Sequence, residues 1–216
     1  MEYYSIVAFF QKGGLFMYPI MLVFAVGMAI TVERWIQLSR TQSVNSKMWD
    51  LVHPVMAEGE FDKAREMVKE DKSNMAKMLE MGLARQGAVR RREDIEIAME
   101  ESMMEIIPQL EKRTPYVALL ANIATLLGLL GTIMGLIEAF TAVANANPAE
   151  KADLLSASIS VAMNTTAFGL MSAIPLLLFH AMLTSTTGQI VDSLEMASVK
   201  ALNSISNFAT RQFDGS

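Results

Sequence analysis

Cysteine is missing from this 216-residue chain, and histidine occurs only twice, at His53 and His180. The first absence excludes disulfides, thiolate nucleophiles and cysteine-held metal sites. The second leaves no HExxH or other paired-imidazole spacing for a metalloenzyme. No glycine-rich phosphate loop follows a strand pattern, and no serine or threonine stands beside a base in a nucleophile motif. The chain therefore reads as a non-enzyme with no cofactor. A net charge of −5 gives no reason to expect nucleic-acid binding.

A further scarcity is local. Asp, Glu, Lys and Arg are absent from Gly13 to Val32, from Thr114 to Ile137 and from Leu154 to Val191. A bilayer core takes roughly 20 apolar residues of helix, and each run reaches that length. The expected fold is all-α, an integral membrane protein with three transmembrane helices. The first run is not a convincing signal peptide, because Glu33–Arg34–Trp35 follows where a small-residue cleavage site would stand. Trp35 suits an interfacial anchor.

What charge there is falls unevenly. Of 18 Lys and Arg, 14 lie from Arg34 to Arg113, whereas the connection between the second and third runs holds only Lys151. Positive charge marks the cytoplasmic side. The expected topology is an N-terminus outside, in the periplasm, with the middle segment and C-terminus cytoplasmic. The expected divisions are a periplasmic amphipathic segment at 1–14, spans at 15–36, 115–144 and 154–186, a cytoplasmic helical segment at 37–114, a periplasmic loop at 145–153 and a cytoplasmic C-terminal helix at 187–216.

Within the middle segment, Phe61, Ala64 and Val68 share a helix face, Ser73 is placed to cap the next helix, and Ile95, Met99, Met103, Ile106 and Leu110 form a stripe. Nothing but Pro108 and Pro115 separates that stripe from the second span, so one long, kinked helix is expected from about Arg91 to Ala144. The third run would extend ~57 Å as one helix, about twice the hydrocarbon thickness. Ile190, Leu194, Ala197 and Leu202 continue its apolar pattern, so this helix is expected to leave the membrane and run beside the middle segment.

The second span carries "LGLLGTIMGLIEAF", Leu127 to Phe140. Gly131 and Gly135 form a small-xxx-small pair with Gly128 one turn earlier, a pattern for close helix packing. Packing does not account for Thr125 and Thr132, which share a face, or for Asn122 at its border. The third span has its own polar strip, Ser156, Ser160 and Asn164, followed by Thr165 and Thr166 with Gly169 and Ala173. A lone membrane threonine usually bonds its own backbone, but two matching polar faces point to a polar passage. No carboxylate lies at mid-membrane depth. Glu138 is ~33 Å along its helix from the cytoplasmic side and suits the outer mouth, as either a cation collector or a surface carboxylate. If ions cross here, the titrating group must come from another polypeptide.

At these residues the chain resembles the ExbB/TolQ/MotA family of ion-driven stator proteins. "ANIATLLGLLGTIMGLIEAF", Ala121–Phe140, is similar to the family's second-span signature, and "SISVAMNTTAFGLMSAIP", Ser158–Pro175, to its third. The resemblance covers nearly the whole chain and is nearer the ExbB/TolQ type. It implies a pentameric ring around two copies of an ExbD/TolR/MotB-like single-span partner, whose membrane Asp carries a proton or sodium ion. It implies that Thr132 and Thr166 are pore threonines, with Thr125, Asn164, Thr165 and Asn122 as further lining. It implies a bacterial inner-membrane protein that turns ion flow into work on the cell envelope, as in TonB-type transport or a Tol-type system. Two departures stand out: Thr125 replaces a frequent proline, and Val161 takes the place of an acidic residue. The alternatives are a non-conducting scaffold assembled through the glycine faces and a MotA-like motility stator.

Overall fold

The computed structural model describes residues 14–86 and 92–214, with side chains as far as Phe208. The amphipathic segment expected within 1–14 falls outside the described residues except for Gly14, as does the Arg90–Arg91 part of the basic run. The described residues form α1 (Met17–Ala57), α2 (Phe61–Glu70), α3 (Asn74–Arg85), α4 (Arg92–Glu111), α5 (Thr114–Asn145) and α6 (Lys151–Asp214). Three stretches, Met17–Ala57, Arg92–Asn145 and Lys151–Phe208, are long and apolar enough to cross a bilayer, the second counting α4 and α5 together. The elements of the described residues are all helices, and three stretches of this length and composition fit an integral membrane protein.

Two of these helices run far past their apolar runs. α1 has 41 residues and passes through Glu33, Arg34 and Arg40 without a break. α6 has 64 residues and contains Pro175. Charged residues at the end of a span do not interrupt the backbone ladder, since they are good helix formers. The helix expected from about Arg91 to Ala144 is instead two helices meeting at Arg113, whose φ of 68° is left-handed. Pro115 explains the break: it has no N–H to donate, and its ring collides with the carbonyl four residues back. Pro108 lies within α4 and does not end it.

The chain divides into two compact units. One holds the described residues up to Arg34 together with Arg113–Met182. Here α1, α5 and α6 pack through small residues. A Cβ on Gly27 would come within 2.8 Å of the Leu176 side chain. Ile20, Val117, Ala121, Ala124 and Leu176 are fully buried, whereas Leu126, Leu129, Ile133, Ile137 and Phe140 on α5 are exposed. Such an apolar exterior is stable only against lipid or neighbouring subunits.

The other unit holds Trp35–Lys112 and the chain from Leu183 onward. α1 ends in a Schellman motif: the Gly59 N–H donates to Met56 O at 3.1 Å and the Glu60 N–H to Val55 O at 3.1 Å. Gly59 takes φ 84°, and a side chain there would strike the Phe208 ring. That ring meets Phe61 edge-on at 5.6 Å. α2 buries Phe61, Ala64 and Val68, the expected face. The Ser73 hydroxyl caps α3, accepting the Ala76 N–H at 3.1 Å, and Asn45 Oδ1 accepts the Met75 N–H at 3.2 Å. The other end of α3 is held by Arg65, whose guanidinium donates to Leu83 O at 3.0 Å and to Gln86 Oε1 at 3.0 Å. Ile95, Met99, Ile106 and Leu110 of α4 are buried, as are Ile190, Leu194, Ala197 and Leu202 of α6. Each such Leu, Ile or Met contributes about 1.5–3 kcal/mol by leaving water.

Candidate functional site

α5 and α6 approach most closely where both lack side chains. A Cβ on Gly169 would stand 2.8 Å from Ala124 O and 3.0 Å from Gly128 Cα. A Cβ on Gly128 would stand 3.2 Å from Gly169 Cα and 3.3 Å from Thr165 O. One turn on, a Cβ on Gly131 would collide with the Thr165 methyl, and one on Gly135 would lie 2.9 Å from Ala162 Cβ. Gly128, Gly131, Gly135 and Gly169 therefore form one continuous seam. Dispersion and backbone contact hold such seams together in lipid, where the hydrophobic effect between helices is absent.

The seam brings two hydroxyls together. Thr132 Oγ1 and Thr166 Oγ1 are hydrogen-bonded to each other. Thr166 Oγ1 also reaches Gly128 O at 2.9 Å, and Thr132 Oγ1 reaches the same oxygen at 3.2 Å and Ala162 O at 3.4 Å. Each hydroxyl has one proton to give. The two therefore form a short chain, in which one donates to the other and the second donates to a backbone carbonyl. Both residues are half-buried.

The other polar residues are placed differently. Thr125 donates to Ala121 O at 3.2 Å, within its own helix. Thr165 donates to Val161 O at 3.1 Å and is buried, with its methyl against Gly131 inside the protomer. Asn164 is half-buried, and Asn122 and Glu138 are exposed. Thus Thr132 and Thr166 meet across the helices, while Thr125 and Thr165 satisfy the local backbone.

Ala162 escaped the sequence reading, and so did the part played by the Gly128 carbonyl in a residue already read as packing. Ala162 supplies both the small surface against Gly135 and a carbonyl facing Thr132, and Gly128 contributes its oxygen as well as its lack of a side chain. The Ala162–Thr166 spacing of one turn was the available signal. Among the described residues no cluster of His, Asp or Glu could hold a metal ion.

The MotA/TolQ/ExbB proton channel family matches residues 70–196, which include both threonines and all four seam glycines. The Tol-Pal system protein TolQ of Haemophilus influenzae is 37% identical over 78 residues, covering 36% of this chain and 34% of that protein. A putative biopolymer transport protein ExbB homolog of Methanothermobacter thermautotrophicus is 25% identical over 194 residues, covering 89% of this chain and 67% of that protein. Biopolymer transport protein exbB1 of Vibrio cholerae is 47% identical over 57 residues, 26% of this chain and 25% of that protein. The matched regions thus span about a third of the TolQ protein and a quarter of exbB1.

Proposed function

Because this chain belongs to the MotA/TolQ/ExbB proton channel family, we propose that it is the multi-span subunit of an inner-membrane stator that couples ion flow to work on the cell envelope. The observation that carries this reading is the Thr132–Thr166 hydroxyl pair, set in a seam of four glycines on the face where α5 and α6 meet. In this reading several copies, five by family resemblance, surround a lumen into which the pair faces. Two copies of an ExbD/TolR/MotB-like partner enter that lumen and bring the membrane Asp. Proton is the expected ion, with sodium as the variant. Thr125, Asn164, Thr165 and Asn122 are assigned supporting places near the passage, and Glu138 the outer mouth. The basic residues from Arg34 to Arg113 support a cytoplasmic middle segment.

The chemistry is a division of labour. A hydroxyl neither gains nor loses charge near neutral pH, so the pair can hydrate and orient a cation's path without trapping it. A carboxylate on the partner binds and releases the proton. One charge crossing 100 mV supplies about 2.3 kcal/mol, enough to bias an interface between two states of similar energy. The envelope process served is of the TonB or Tol type.

Thr132→Val and Thr166→Val, against Thr132→Ser and Thr166→Ser, test the reading in vesicles that report proton uptake. The valine variants should assemble and lose flux, and the serine variants should keep most of it. A second reading, a non-conducting scaffold, is favoured by the tightness of the Gly128–Gly169 contact. It requires every one of these variants to assemble and function alike.

A further inference from the structure

The charge-free run from Leu154 to Val191 contains one histidine, His180. It lies on α6, fourteen residues after Thr166. Helix geometry puts it about 21 Å further along and about 40° around the axis, on the same stripe. Thr184 continues that stripe one turn later. His180 is half-buried. The other histidine has a plainer setting: His53 lies in the second unit, with its ring 4.7 Å from that of Trp49.

Packing fixes the depth of His180. Ala162 meets Gly135, Thr166 meets Thr132, and Gly169 meets Gly128 and Ala124, so α5 runs antiparallel to α6. Following that register for about three turns past Gly169 reaches His180 on α6 and Val117 on α5, with Arg113 about one turn further on. α1 runs parallel to α6, since Gly14 faces Val161 and Gly27 faces Leu176. One to two turns past Gly27 lie Thr31, Glu33 and Arg34. The charged groups nearest the depth of His180 in this unit are therefore Glu33 and Arg34 on α1 and Arg113 on α5. Guanidinium groups stay protonated, and Glu33 is ion-paired with Arg113. These charges mark where the apolar span ends.

We propose that His180 is the proton acceptor at the basic end of the passage whose middle is the Thr132–Thr166 pair. This rests on the conduction reading given above. The neutral imidazole takes a proton from protonated water in the passage, an N–H bond forming as an O–H bond breaks and neutral water is left. As imidazolium it returns that proton to a water on the basic side, which leaves protonated. A histidine suits this step because it changes charge between about pH 5 and 8.

The test uses the assembled complex, isolated from membranes with the subunits that co-purify with the chain and sealed in vesicles. Proton flux is measured for the parent, Thr166→Val, His180→Ala and His180→Gln while pH is varied on the basic-end side. His180→Ala is expected to lower flux tenfold or more and to flatten its pH dependence. Free imidazole on that side should restore it, whereas His180→Gln, which keeps bulk and hydrogen bonding, should not. Unchanged flux and pH profile in His180→Ala overturn the inference, as does full activity in His180→Gln. If the parent conducts, Thr166→Val fails and His180→Ala behaves as the parent, this inference falls alone. If the parent passes no protons, the conduction reading falls with it.

Discussion

The α-carbon of Gly169 faces the carbonyl oxygen of Ala124 so closely that any side chain would intrude: a Cβ would stand 2.8 Å away. The obstacle is backbone, which cannot rotate aside as a flexible side chain can. Gly169→Ala is therefore expected to destabilise the α5–α6 seam by about 1–3 kcal/mol, and Gly169→Leu to prevent it from forming. Thermal unfolding of the purified protein in detergent measures the first, and yield of folded protein the second. Gly188→Ala is the control, because a Cβ there meets nothing within 4 Å. It should be neutral or slightly stabilising, as helix propensity predicts.

The absence of cysteine makes the native chain its own background for site-directed labelling. Lys151→Cys lies between the second and third spans, and Lys77→Cys in the basic middle segment. Membrane-impermeant thiol reagents should modify Lys151→Cys from the periplasmic side only, and Lys77→Cys only after the membrane is opened. Labelling of both from one side would contradict the topology read from the basic residues.

Arg65 ties the end of α3 to α2 through Leu83 O, Gln86 Oε1 and Asp62. Hydrogen bonds from a charged donor contribute about 1.5–3 kcal/mol, and this one is only part-buried. Arg65→Ala should cost about 2 kcal/mol and raise amide exchange at the end of α3. Arg65→Lys should recover little, since an ammonium cannot reproduce the fork that reaches several oxygens.

Arg113 sets two opposing terms against each other. Its left-handed backbone costs about 1–2 kcal/mol, while its ion pair with Glu33, half-exposed on both sides, contributes about 0–1 kcal/mol. Arg113→Gly relieves the first and loses the second. The variant should be as stable as the parent or up to about 1 kcal/mol more stable. Arg113→Ala keeps the strain and loses the pair, so it should melt below both.

These balances explain which parts of the fold could be read from sequence. Stripes such as Phe61–Ala64–Val68 and Ile190–Leu194–Ala197 were legible because burial imposes the helical period directly on residue type. The seam glycines were legible too, since little else explains glycine inside a membrane helix. The joint at Arg113 was not. Pro115 signals a disturbance, but whether the chain bends or stops depends on what holds the left-handed residue, and Glu33 is eighty positions away. Thr165 and Thr166 were read as one strip. Neighbouring positions differ by about 100° on a helix, and only the position of Gly131 shows that Thr165 is packing while Thr166 meets Thr132.

The oxygen of Gly128 lies within reach of both hydroxyls, yet each arrangement of the pair uses it through a different one. Passing from Thr132-first to Thr166-first takes two O–H rotations and no shift of either helix. In either order both protons are used within the crossing, so water touching the pair meets only acceptor lone pairs. The proton order within the crossing can thus change while its own backbone stands still, so the hydroxyls can respond to their surroundings without loosening the glycine seam that holds them.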